Sequence, residues 1–193
     1  MSITEYYSKA WTVIQKNLVA WIVLYVAFTA VSIVTCGLGL LLMPNVLREV
    51  RDSLAEDRGP TLGSLFRMDR LANDAVNLII LWGAVTVGSM VAGIGAAIAG
   101  VLLQFVTQLA ADDRYAPFDN AKISFKHAMA HPGDHIMFFL LTNVIIWVSA
   151  ALCGLPLLVT LPVIGVAQWM WYQDQRAELD GIASQEGIRL IGG

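Results

Sequence analysis

The sequence predicts an all-α fold: a polytopic membrane bundle of three helical hairpins, about six spans, with amphipathic helices lying in the interface. Two observations predict it. The chain of 193 residues is 57% hydrophobic and only 14% charged, a balance foreign to ordinary soluble domains. Its 12 basic and 15 acidic side chains also fall into four islands, separated by charge-free stretches at residues 18–47, 75–111 and 136–173. One helical crossing takes about 20 apolar residues at about 1.5 Å rise each. Stretches of 30, 37 and 38 residues are too long for one crossing and suit two, joined by a tight turn.

The first island opens a helix. Ile3, Tyr6, Tyr7, Ala10, Trp11 and Ile14 recur at helical spacing, and Ser2 with Glu5 forms a capping box. Such a helix lies in the interface with its aromatics at headgroup level. The first hairpin then turns at Cys36-Gly37-Leu38-Gly39, the second at Gly93-Ile94-Gly95, the third at Cys153-Gly154-Leu155-Pro156. Glycine permits φ > 0 and proline lacks the N–H a helix interior needs. Trp21, Trp169, Trp171 and Tyr172 stand where an aromatic belt is expected. The 17 residues before position 18 carry Glu5 beside Lys9 and Lys16, and the run beyond is too long for a signal-peptide core, so no removable leader is expected.

Two crossings per stretch bring every charged island to one side. Twelve lysines and arginines on one face follow the positive-inside pattern, which predicts the cytoplasmic membrane with both termini inside. Net charge of −3 gives no reason to expect nucleic acid. The expected partners are the lipid bilayer and other membrane subunits, or further copies of this chain.

The whole of residues 1–193 reads as one integral membrane domain. Cys36-Gly37-Leu38-Gly39-Leu40-Leu41 aligns with Cys153-Gly154-Leu155-Pro156-Leu157-Leu158, and the same offset pairs Ser32 with Ser149 and Lys9 with Lys126. Repeat-like halves at about 1–56 and 118–174 would flank a middle hairpin at 75–111, as parallel repeats do around an axis along the membrane normal. Cys36 and Cys153 are the only cysteines; pairing across the outer turns and burial as small residues both stay open.

Arg48 falls about 16 Å along a helix counted from Gly37, near the bilayer middle. It either snorkels from a short, tilted helix or lines a candidate polar cavity with Glu49, Asp52, Gln104 and Asn143. Gly88, Ala92, Ala96 and Gly100 recur at i, i+4 and form a helix-packing face, for use within a subunit or between subunits. His127, His131 and His135 share a four-residue spacing, which suits a metal only on an unbroken helix. Pro132-Gly133 ends the helix and predicts that His135 points elsewhere. No metal and no cofactor is expected; His127 and His131 are the residues that would hold an ion. The acid pairs Glu56-Asp57, Asp112-Asp113 and Glu178/Asp180 read as solvated faces. No nucleophile elbow, P-loop or His-Glu-x-x-His pair occurs.

The chain resembles a broad group of bacterial six-span membrane proteins without settled activity, the YciC-like family and the membrane domains attached to some glycerophosphodiester phosphodiesterases. The resemblance rests on Ala10-Trp11 leading to Lys16-Asn17 and on Leu42-Met43-Pro44 with its charged continuation. It continues in Arg58-Gly59-Pro60-Thr61-Leu62-Gly63-Ser64-Leu65-Phe66 and in Leu152-Cys153-Gly154-Leu155-Pro156 running to Trp171-Tyr172-Gln173-Asp174. It implies a bacterial inner-membrane protein and carries no catalytic residues over. Pro156 departs from the glycine such a turn would carry and stiffens it. The expected function is non-enzymatic: assembly as an oligomer or accessory subunit of a membrane complex. A small transporter or channel with a polar path between the repeat halves is the alternative, and a lipid-interface enzyme the second alternative.

Overall fold

A computed structural model of the chain describes residues 1–90, 94–152 and 154–191, and these are helical without a strand among them. The chain divides into two compact units, Met1–Asp69 with Leu140–Gln173, and Arg70–Phe139 with Asp174–Gly193.

In the first unit α1 (Ile3–Lys16) starts on the expected capping box, with the Ser2 N–H donating to Glu5 Oε2 at 2.9 Å. Its buried stripe is Tyr6, Ala10 and Ile14, each four residues from the next. At Asn17 the chain bends by 101° into α2 (Leu18–Val34). Cys36 and Gly37 then adopt successive left-handed conformations, φ 52° and 95°, and the Gly37 N–H reaches back to the Ser32 carbonyl at 2.7 Å, closing the helix end. Gly39 sits directly on α2: a Cβ there would lie 2.5 Å from the Ser32 backbone. A 3-10 turn (Leu38–Leu42) leads into α3 (Met43–Ala55), whose Pro44 occupies the tolerated first turn. Leu140–Gln173 adds the later part of α8 (Pro132–Ala151) and the earlier part of α9 (Leu157–Gln185). Trp21, Trp169, Trp171 and Tyr172 are buried, so the expected belt aromatics are core residues of the folded chain.

The second unit holds α4 (Leu71–Ser89), α5 (Ile94–Leu102), α6 (Val106–Asp112) and α7 (Pro117–Ala130), with the start of α8 and the end of α9. Between α5 and α6 the ladder breaks, and Ser124 of α7 fills the gap. Its hydroxyl accepts from the Phe105 N–H at 3.1 Å and donates to the Leu102 carbonyl at 3.1 Å. Asn120 Nδ2 donates to Asn77 Oδ1 at 2.9 Å, joining α7 to α4.

Among the described residues three helical segments are long and apolar enough to cross a membrane, Leu71–Ser89, Ile94–Asp112 and Pro132–Ala151, and up to four if the bent α1–α2 pair counts as one span. That is fewer than the expected six. The return limb of the first stretch spends five residues on its 3-10 turn, and α3 has only 13 residues. Helix α9 becomes charged from Asp174 onward.

Candidate functional site

Two buried polar clusters stand out, one in each unit. In the first, α3 presents Asn45, Arg48, Glu49 and Ser53, all at most 4% exposed. Arg48 Nη1 donates to Asn45 Oδ1 at 2.7 Å, and Asn45 Nδ2 donates to the carbonyls of Leu65 and Arg67 at 3.0 and 2.7 Å. Glu49 Oε1 accepts from Arg58 Nη1 at 2.6 Å, from the Thr61 N–H at 2.7 Å and, more distantly, from the Ser53 hydroxyl at 3.4 Å. Asp52 takes Arg51 Nε at 3.0 Å and Arg67 Nη1 at 3.6 Å. These contacts tie the segment after α3 back onto the helix. The donors converge on one carboxylate oxygen while the buried Oε2 has no hydrogen-bond partner, and the Arg58 guanidinium supplies the countercharge that a buried carboxylate needs.

The second cluster is a hydrogen-bonded chain. His135 Nδ1 lies 3.1 Å from Gln104 Oε1, and His135 Nε2 lies 2.9 Å from His127 Nδ1. Beyond His127, Glu178 places Oε2 3.9 Å from His127 Nε2 and Oε1 2.5 Å from His131 Nε2. His127 and His135 are buried; His131 and Glu178 are half-exposed. Phe105 packs on both buried imidazoles, its ring centroid 5.3 Å from His127 and 5.0 Å from His135. Burial pushes His127 below the ordinary histidine value, opposed by the Glu178 charge and reinforced by His131.

The neighbouring ion pairs fix the end of α9. Asp180 receives Arg114 Nη1 at 2.6 and 2.7 Å and the Tyr115 hydroxyl at 2.6 Å. Burial and that carboxylate together push Tyr115 up to about 12. Burial opposes the Arg114 charge, but Asp180 outweighs it and raises the guanidinium. Asp112 holds Arg176 at 3.0 Å, and Glu186 takes both Lys122 and Lys126.

No family model matches the chain, and no curated protein or solved structure matches it either.

Arg48, Glu49 and Asp52 lie together on α3, and Asn143, half-buried on α8, belongs to the same unit; Gln104 belongs to the other unit and to the histidine chain. Of the small-residue face, Gly88 meets α5 backbone to backbone: a Cβ there would lie 2.5 Å from Gly95 and 2.8 Å from the Ala96 nitrogen. A Cβ at Gly100 would lie 3.0 Å from the Phe139 ring, and Ala92 lies outside the described residues. Cys36 is exposed; Cys153, and with it any pairing, also lies outside them.

One expectation is corrected. The helix does end at Ala130, but Pro132 restarts it as α8 at once, and the corner returns His135 onto His127 instead of pointing it elsewhere. Sequence reasoning missed Glu178 as the partner of these histidines, because 47 residues separate it from His131. Glu178 and Asp180, grouped in the sequence as one solvated face, each engage a different partner. Residues two apart on a helix point nearly opposite ways, so Glu178 meets His131 while Asp180 meets Arg114.

Proposed function

We propose that this chain is a multi-pass protein of the bacterial cytoplasmic membrane, termini inside, that works by assembly as an oligomer or as an accessory subunit of a membrane complex. The reading is carried by the bare apolar faces of α4 and α8, since only 17% of each spanning window is buried within the chain. Ile79, Trp82 and Val87 on α4, and Val144, Trp147 and Val148 on α8, all stand exposed. Lipid covers such faces, but Trp82 lies about 16 Å along α4, at mid-depth, whereas membrane indoles favour the headgroup level. A buried tryptophan at a subunit contact suits that position better.

In this reading the hairpins give six crossings: α2 with the limb through α3, α4 with α5–α6, and α8 with the apolar start of α9. Arg48 and Glu49 are tolerable on the shortest limb because they are buried on protein partners. The repeat gains support from one register: the offset of 117 residues that pairs Lys9 with Lys126 carries the end of α2, Val34, onto the end of α8, Ala151. The likeness to YciC-like proteins agrees with this topology.

Topology is tested by Asp57→Cys in a background with both native cysteines changed to serine. The thiol is expected to resist an impermeant maleimide added outside intact cells, and labelling from outside would refute the orientation. Assembly is tested by native mass spectrometry in mild detergent. The expected particle is a multiple of 21.0 kDa or a complex with a second protein. Trp82→Ala should weaken it about tenfold or more, as loss of an anchor does. A strict monomer with nothing co-purifying would end the reading.

A further inference from the structure

We propose that His127, His131 and Glu178 bind one divalent transition-metal ion of the zinc, cobalt or nickel class. The site is independent of the assembly reading. Its donors come from α7 and α9 within one unit. His127 and His131 are one turn apart, and the His131 N–H still donates to the His127 carbonyl at 2.9 Å, so both rings leave the same side of the helix end. One ligand atom from each of the three residues lies within 4.8 Å of the others. An ion with ligands at about 2.0–2.1 Å holds its donors about 3.3 Å apart. Seating it asks the widest pair to close by up to about 1.5 Å and the 2.5 Å His131–Glu178 contact to open by somewhat less, and the half-exposed His131 and Glu178 side chains have room to make both shifts.

A second, independent observation points to a ligand. His127 Nε2 is buried and has no partner at hydrogen-bond distance and angle, with the Gln175 side chain the nearest candidate. One arrangement of protons satisfies the chain behind it. Gln104 Oε1 only accepts, so His135 Nδ1 carries the proton and donates. His135 Nε2 then offers its lone pair to the proton on His127 Nδ1. That leaves His127 Nε2 with a bare lone pair aimed toward the Glu178 carboxylate at 3.9 Å, acceptor facing acceptor. The buried His127 lone pair has no donor to satisfy it, and a cation between it and the half-exposed Glu178 carboxylate would satisfy both. The hydrogen bond on the far ring nitrogen is also the usual support of a metal-bound imidazole.

Two imidazoles and one carboxylate suit borderline ions rather than magnesium or calcium, which prefer all-oxygen sets. Three protein donors leave a fourth position open. Glu178 also lines a groove of about 620 Å³ with Met129, Ala130, Gly181 and Ile182, so that position can be reached from outside the unit.

The test uses the full chain in detergent, any affinity tag removed, stripped with a chelator and titrated with Co²⁺, then with Zn²⁺ in competition. The expected result is one equivalent of Co²⁺ with visible d–d absorption, displaced by Zn²⁺, and a rise in Tm on binding. Glu178→Gln and His127→Ala should each abolish or greatly weaken binding, and His135→Phe should weaken it about 10–100-fold through loss of the supporting hydrogen bond. Should His127→Ala fail to fold, Glu178→Gln still decides, because that side chain is half-exposed. No stoichiometric binding, or unchanged Co²⁺ affinity in Glu178→Gln, would overturn the proposal.

Discussion

Gly88→Ala is expected to destabilise the second unit by about 1–3 kcal/mol, the usual cost of forcing atoms into a filled contact. Gly88→Leu should cost more. The reason is a reciprocal contact. A Cβ at Gly88 would lie 2.5 Å from the Gly95 carbonyl group, and a Cβ at Gly95 would lie 2.4 Å from the Gly88 oxygen. The obstacle is backbone on both sides, so no rotamer change relieves it; α4 and α5 must move apart and lose the contacts their closeness allows. Gly83→Ala on the same helix is the control. Nothing lies within 4 Å of its added Cβ. There the helix propensity of alanine should stabilise by about 0.5–1 kcal/mol. Unfolding followed by circular dichroism in micelles reads both. Equal stability of Gly88→Ala and Gly83→Ala would show that the helices are not held at that distance.

How much of this fold was legible follows from what sets each feature. The three charge-free stretches foretold the apolar helices, because a helix in lipid cannot carry unpaired charge and the signal is written residue by residue. Cys36-Gly37 was legible as a turn for the same local reason: Gly37, at φ 95°, takes without strain the left-handed conformation that closes α2. The Ser2–Glu5 cap was legible because its partners are three residues apart. Span length on the return limb of the first stretch was not. Whether residues 38–42 coil as a 3-10 turn or extend α3 depends on Gly39 lying against Ser32, a contact composition does not encode.

The same division runs through the candidate sites. Arg48, Glu49 and Asp52 could be grouped from sequence because one helix carries them. Their true role depends on Arg58, Thr61 and Arg67, brought back by the segment after α3. Pro132 was correctly a helix end, but the direction taken after a corner is a tertiary property, so His135 was placed wrongly. Glu178 joins His131 only because α9 lies along α7, and no local pattern announces a partner 47 residues away.

Glu49→Leu is expected to destabilise the first unit by about 3 kcal/mol, at the lower end of what breaking a buried ion pair costs. Glu49 is fully buried, whereas Arg58 keeps 32% of its side chain in contact with solvent. Once the carboxylate is gone, Arg58 can turn to water, which limits the loss. The Thr61 N–H loses its acceptor as well, at 2.7 Å to the same oxygen, but Thr61 is exposed and water can take over part of that bond. Glu49→Gln retains one acceptor oxygen and should lose about half as much, because hydrogen bonds to a charged group exceed neutral ones by about twofold. The segment 56–62 should loosen at the same time. Limited trypsin digestion of the intact protein is therefore expected to cut after Arg58 faster in Glu49→Leu than in the native chain, with Asn45→Ala freeing the Arg67 end instead. If Glu49→Leu melts with the native protein and its cleavage at Arg58 is unchanged, the carboxylate does not hold this segment, and the buried charges of α3 serve something other than structure.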